Sequence, residues 1–161
     1  MDILTAVSLD ETWMYFPFQE FPEPDMAENP ACLLTALLGT GEKPGFRSRQ
    51  LHRRLTIGDP AEGSRKRWHY TSQTNIPAER EDEFNQWFDE EHLPYLAAVP
   101  GTTHAARYET DGSPKFLACY DLDRQDVQGG PAWRAAVSTP WRDRIHREFI
   151  GPRRLMLMRL H

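Results

Sequence analysis

The 161-residue sequence predicts an α+β fold, and three observations carry that prediction. Four segments between residues 66 and 160 alternate as strands do. Two others, opening at Pro77 and Pro131, carry helix signals. The order of the six is β-α-β-β-α-β, the ferredoxin-like arrangement of an antiparallel sheet with both helices on one face.

Residues 1–65 read as an N-terminal arm and 66–161 as the α+β domain. The arm begins acidic and broken by proline, ETWMYFPFQEFPEPDMAENP, with Trp13, Tyr15, Phe16, Phe18 and Phe21 close together. Pro17, Pro22 and Pro24 forbid a helix through it. Five large aromatics left in water would form an apolar patch, so the arm is expected to pack on its own domain, cap a pocket or swap onto a partner subunit. NPACLLTALLGTG has a proline start and a glycine end, which predicts a short buried helix over 30–38. LHRRLTI (51–57) alternates as an edge strand before a turn at Gly58, Asp59 and Pro60. KPGFRSRQLHR also echoes VPGTTHAARYE, so the arm reads alternatively as a decayed second copy of the domain.

The domain opens with a strand, RWHYTSQTN (67–75), rich in aromatic and β-branched residues. PAEREDEFNQWFDEEH follows, with proline and acids in its first turn as a helix N-terminus prefers. Phe84, Trp87, Phe88, Glu91 and Tyr95 fall on one helical stripe with His92 on its flank. Pro94 is expected to end this helix, which leaves three acids and a histidine in its final turn, at the negative end of the dipole. TTHAARYET (102–110) and KFLACYDLD (115–123) are strands joined through DGSP, a hairpin signal. GPAWRAAVSTPWRDRIHREFIG (130–151) is a helix or a helix pair broken near Pro140, and RRLMLMRL (153–160) is a final strand.

Two helices cover one face of such a sheet, yet both alternating sets are apolar. Leu155 and Leu157 oppose Met156, Met158 and Leu160; Phe116, Ala118 and Tyr120 oppose Leu117 and Cys119. The same face of a second subunit would bury the uncovered side, giving a homodimeric two-fold barrel with room for a ligand. The alternative is that the arm covers it within one chain.

Composition narrows the function classes. A formal charge of −5 argues against nucleic acid as the main partner. The charge is unevenly placed: 47–67 carries seven cations against two acids, and 79–91 seven acids with one arginine. Blocks of this kind pair across a fold or a dimer seam. Cys32 and Cys119 lack metal-ligand spacing and read as reduced thiols in a cytoplasmic protein. No apolar run approaches the roughly 20 residues that span a bilayer, so no membrane partner is expected.

EFNQWFDEEHLPYLAAVPGTTHAARYE, followed by PKFLACYDL and PAWRAAVSTPW, resembles the dimeric α/β-barrel superfamily, in particular its EthD-like branch. There a tryptophan-bearing helix ends in an acid-acid-His-Leu-Pro run and leads into a Pro-Gly strand start. The resemblance covers 66–161. It implies a superfamily of cofactor-free monooxygenases, polyketide cyclases, isomerases, dehydratases and haem enzymes, and it places His92 in the recurring motif.

His92 is accordingly the leading candidate for an acid or base, since imidazole near neutrality both takes and gives a proton. Glu91 or Asp89 is expected to orient it; a carboxylate on an apolar stripe has a raised pKa or a cationic partner such as Arg107. In the competing reading His92 caps a helix end and the acids pair with the basic block. A metal bound by Asp89, Glu91 and His92 is disfavoured because no second ligand pair has the required spacing. His69, His104, Tyr70, Tyr108 and Tyr120 lie on strands and are candidates to line a cavity, with Trp87, Phe88 and Arg107. Trp87, Trp133 and Trp141 read as core, or as a wall for a flat ring. No phosphate loop, nucleophile elbow or HExxH occurs. Haem is the cofactor the resemblance leaves possible, no residue is marked as its axial ligand, and none is expected. The sequence therefore predicts proton transfer on a small apolar, aromatic or polyketide-like molecule, by a cyclase, dehydratase or isomerase. A non-catalytic ligand-binding protein and an oxygen-dependent monooxygenase are the alternatives.

Overall fold

The computed structural model describes residues 3–9, 12–17, 47–110 and 112–158. The chain divides into two compact units, Met1–Arg53 and Arg54–His161. In the first, β1 (Ile3–Leu9) pairs antiparallel with β2 (Thr12–Pro17) on one side and with the start of β3 (Arg47–Gly58) on the other. The aromatic arm is thus partly strand, in keeping with prolines that forbid a helix through it. Pro17 is the last residue of β2, a strand end where its missing N–H does little harm. The helix predicted over 30–38, with Phe18 and Phe21, lies outside the described residues.

In the second unit the last residues of β3 lie beside β5 (Thr102–Glu109), and the sheet continues through β6 (Phe116–Leu122), β4 (Trp68–Asn75) and β7 (Ile150–Met158). The pairs β5–β6, β6–β4 and β4–β7 are antiparallel. This is the ferredoxin-like β-α-β-β-α-β order that the alternation predicted. The division falls before residue 54 because the last turns of β3 belong to this sheet: Leu55 and Ile57 pack on its core, and Thr56 Oγ1 donates to the Ala105 carbonyl at 3.4 Å. A short α1 (Pro60–Ser64), capped by Asp59, follows. Gly63 is required there, since a Cβ would stand 2.6 Å from both Asp121 Oδ2 and His104 Cβ.

The first long helix is α2 (Glu81–Trp87), a π-helical turn (Phe88–His92) and α3 (Leu93–Ala97) in succession. Glu81, Asp82 and Glu83 in its first turn suit the positive end of the dipole. Pro94 does not end it. The acid run 89–91 therefore sits in mid-helix, and its expected conflict with a C-terminal dipole does not arise. The second helical segment is a pair, α4 (Pro131–Ala136) and α5 (Pro140–Ile145), each opened by a proline in its first turn.

Phe84, Trp87, Phe88, Leu93 and Leu96 pack with Trp133 and Ile145 onto Ala105, Phe116, Ala118, Tyr120 and Leu122 of the sheet. On the opposite face Thr71 and Gln73 are fully buried, and Tyr108, Leu117 and Cys119 nearly so. Tyr95, placed on the apolar stripe by the sequence, is 48% exposed. The π turn rotates everything after it out of the α-helical register.

Candidate functional site

Between the helices and the sheet lies a cavity of about 330 Å³. That is the small end of the roughly 300–1,000 Å³ usual for ligand pockets. Strand register builds its floor. Arg107 stands opposite Ala118, Ala118 opposite Ser72 and Ser72 opposite Arg154, so two small residues lie in one row between two arginines. The neighbouring row pairs Ala105, Tyr120, Tyr70 and Met156. Phe84, Phe88, Trp133 and Phe149 supply aromatic walls, and His92 and His146 line the same space.

His92 owes its place to the π turn. In a regular α-helix a residue five positions on is rotated by about 140° from the first, too far to stack on it. Here the Leu93 N–H reaches back to the Phe88 carbonyl, the turn holds one extra residue, and the His92 ring stacks on Trp87 with centroids 4.3 Å apart. The Phe88 ring meets it edge-on at 4.8 Å. Proline at 94 supplies a reason for the bulge: its ring crowds the carbonyl four residues earlier and cannot donate to it, and a widened turn absorbs that clash. Burial, then the neighbouring His146 and the arginines Arg142, Arg107 and Arg154, push the His92 pKa down to about 3. One side of the ring still faces the cavity, so at neutral pH it is an uncharged imidazole with access to a ligand.

Neither nearby acid tunes His92. Asp89 Oδ1 takes the Arg107 guanidinium at 2.5 Å, and Arg107 also donates to the Asn85 carbonyl at 3.3 Å and to the Asn85 side chain. Arg54 of the basic block reaches Asp89 at 3.8 Å and Glu109 at 3.2 Å, one instance of the expected pairing between blocks. Arg107 is only 1% exposed and lies over the Phe84 and Phe88 rings at 5.1 and 4.8 Å, a geometry that favours a cation on an aromatic face. Burial lowers its pKa and Asp89 opposes the shift. Glu91, expected to meet Arg107 or His92, instead accepts from Trp87 Nε1 at 3.0 Å and from the Thr139 hydroxyl. Thr139 in turn caps α5, accepting from the Arg142 N–H at 3.1 Å. Glu91 therefore fixes the ring that backs His92 and ties it to the second helix pair.

Four of the predicted lining residues face the cavity: Phe88, Tyr70, Tyr120 and Arg107. Trp87 does not, because it is wholly buried behind His92. His69, His104 and Tyr108 fall on the opposite sheet face, where Asp121 bonds His69 Nδ1 at 2.6 Å and His104 Nδ1 at 2.9 Å. The His104 Nε2 meets Thr56 Oγ1 at 2.9 Å. Sequence reasoning missed His146, Arg142, Arg154 and Phe149. One signal was present: WRDRIH spaces Arg142 and His146 four apart, on one helix face. Burial and the same two arginines, Arg142 and Arg154, push the His146 pKa down to about 4. Burial raises the Tyr70 and Tyr120 phenols, so both remain protonated donors, and the Tyr120 hydroxyl is buried without a hydrogen-bond partner among the described residues.

With the site in view, the likeness to solved structures is informative. The chain aligns over 100% of its length, and 100% of the other, with a major regulator of staphylococcal pathogenesis at a TM-score of 0.63 and 8% identity. The haem-degrading enzyme of Listeria monocytogenes matches at TM-score 0.57 and 9% identity, over 98% of this chain and 99% of that one. An anthrone oxidase-like protein matches at 0.57 and 14%, over 99% and 77%. The fold is ferredoxin-like. Further matches include a ferredoxin-fold protein of Listeria monocytogenes related to antibiotic-biosynthesis monooxygenases, at TM-score 0.55 and 7% identity over 99% of this chain and 94% of that one. No protein-family model and no curated protein sequence matches the chain. The EthD-like branch suggested by DEEHLP therefore rests on that motif alone.

Proposed function

We propose that the chain is a small enzyme that works without a cofactor, removing a proton from an activated carbon or phenol of a ring-containing molecule held in the helix-side cavity. The observation that carries this reading is the neutral His92 imidazole, stacked on Trp87, facing the cavity and without a carboxylate partner among the described residues. In the empty site it is a weak base. As a substrate loses its proton, the developing negative charge offsets the repulsion from Arg142, Arg107 and Arg154, so the imidazole strengthens as the transfer proceeds. His92 is the base; Glu91 positions it through Trp87, and Asp89 positions Arg107. Returning the proton to another carbon gives isomerisation, delivering it to a departing hydroxyl gives dehydration with release of water, and attack of the carbanion on a carbonyl of the same molecule, with the proton passing to the new alkoxide, gives cyclisation.

A second outcome follows from the same first step. The carbanion could be oxidised by O₂, and the anthrone oxidase-like and haem-degrading structures favour keeping this reading. Anthrone is a suitable probe for both. In D₂O without oxygen, proton transfer appears as deuterium entering its methylene group; in air, oxidation appears as O₂ uptake with one water released per quinone formed. His92→Ala is expected to slow the anaerobic exchange at least about 100-fold with the melting temperature within a few degrees. Wild-type exchange no faster than buffer, or unchanged exchange in the variant, rejects the assignment.

The resemblance also implies a homodimer. Solution mass against the 18.7 kDa chain decides it.

A further inference from the structure

We infer that the ligand of this cavity is an anion, an acidic oxygen (phenolate, enolate or carboxylate) on an aromatic framework, seated over Ala118 and Ser72 between Arg107 and Arg154. The inference rests on the reading that the helix-side cavity is the binding site, and it adds the class of molecule bound there.

Four arginines line the cavity and no aspartate or glutamate does. In a chain with 24 acids against 19 lysines and arginines, that is a reversal of the prevailing sign. Arg107 already has Asp89. The other three differ. Arg134 and Arg154 make no ion pair with a carboxylate among the described residues, and Arg142 meets only Asp143, at 3.1 Å on an exposed edge, with its Nε buried and unpartnered. Solvated arginines at a cavity mouth are ordinary. An arginine row interrupted by the two smallest side chains of the floor is a different arrangement, because it leaves a flat space with a cation at each end.

Strand spacing of about 4.8 Å separates the Arg107 and Arg154 backbones by roughly 14 Å, a span that two extended guanidinium side chains and one or two fused rings can fill. Phe88 and Phe149 then face the rings. The Tyr120 hydroxyl, buried without a partner beside this row, is a neutral donor suited to an oxyanion. Uncharged His92 and His146 add no repulsion for a neutral framework and gain a favourable partner when an anion arrives.

The test compares two flat probes of the same shape, 2-naphthoate and 2-naphthamide, binding to the full chain in low-salt buffer at pH 7.5 by calorimetry. The carboxylate is expected to bind at least about tenfold tighter than the amide, with affinity falling as salt is added. Arg154→Gln, at an exposed position that should leave the melting temperature unchanged, is expected to remove most of that preference while sparing the amide. Equal or weaker binding of the carboxylate, or a full preference retained in both Arg154→Gln and Arg142→Gln, overturns the inference. The catalytic reading fails separately: anthrone exchange absent while naphthoate binds would refute the proton transfer and leave the ligand class standing.

Discussion

At position 92 the imidazole is held neutral by its surroundings, and this has a measurable cost. In an unfolded chain a histidine titrates near its ordinary 6.5, whereas folded His92 and His146 are pushed down to about 3 and about 4. Between those values the unfolded chain binds protons that the folded one refuses. Stability contributed by the two neutral rings is therefore complete above pH 6.5 and is lost as the pH falls through the window. Denaturation between pH 5 and 6.5, above the range of most carboxylates, should show falling stability, and His92→Gln with His146→Gln should flatten the slope. The neighbouring acids act differently. Asp89→Asn should cost about 1–3 kcal/mol by weakening a charge-assisted bond to a buried guanidinium, measured by urea titration. The sequence placed His92 in the site from its residue type and its motif. It could not say which acid takes Arg107, because successive positions in DEE differ by about 100° around a helix and the π turn shifts that count.

Among the secondary-structure elements, the strands were legible because alternation and β-branched content agree with the pleat. The helix pair was legible because Pro131 and Pro140 each mark a first turn. The π turn was not, since nothing in FDEEH distinguishes a turn of one extra residue from an α-helical one except the proline that follows it. That single extra residue decides which ring stacks on Trp87 and sends Tyr95 to solvent. A second joint is just as local: Thr139 both caps α5 and donates to Glu91. Thr139→Ala should destabilise the fold by about 1–2 kcal/mol and loosen Arg142 and His146 with it, seen as a lower melting temperature and broader His146 ring signals.

For the molecule as a whole, β-α-β-β-α-β order was readable, but the side of the sheet that holds the hollow was not. One residue of strand parity exchanges every side chain between faces. That is why His69, His104 and Tyr108 were grouped with Tyr70 and Tyr120, although Asp121 gathers the two histidines on the far side. Apolar residues on both faces left open whether a second subunit or the arm covers the side away from the helices. No helix among the described residues is long and apolar enough to cross a membrane. The account's central claim is that ligand chemistry occurs on the helix side of the sheet, and ring-resolved NMR of the six histidines tests it most directly. Adding 2-naphthoate should shift the His92 and His146 ring signals and leave those of His69 and His104 in place. Shifts at His69 and His104 with none at His92 would contradict it.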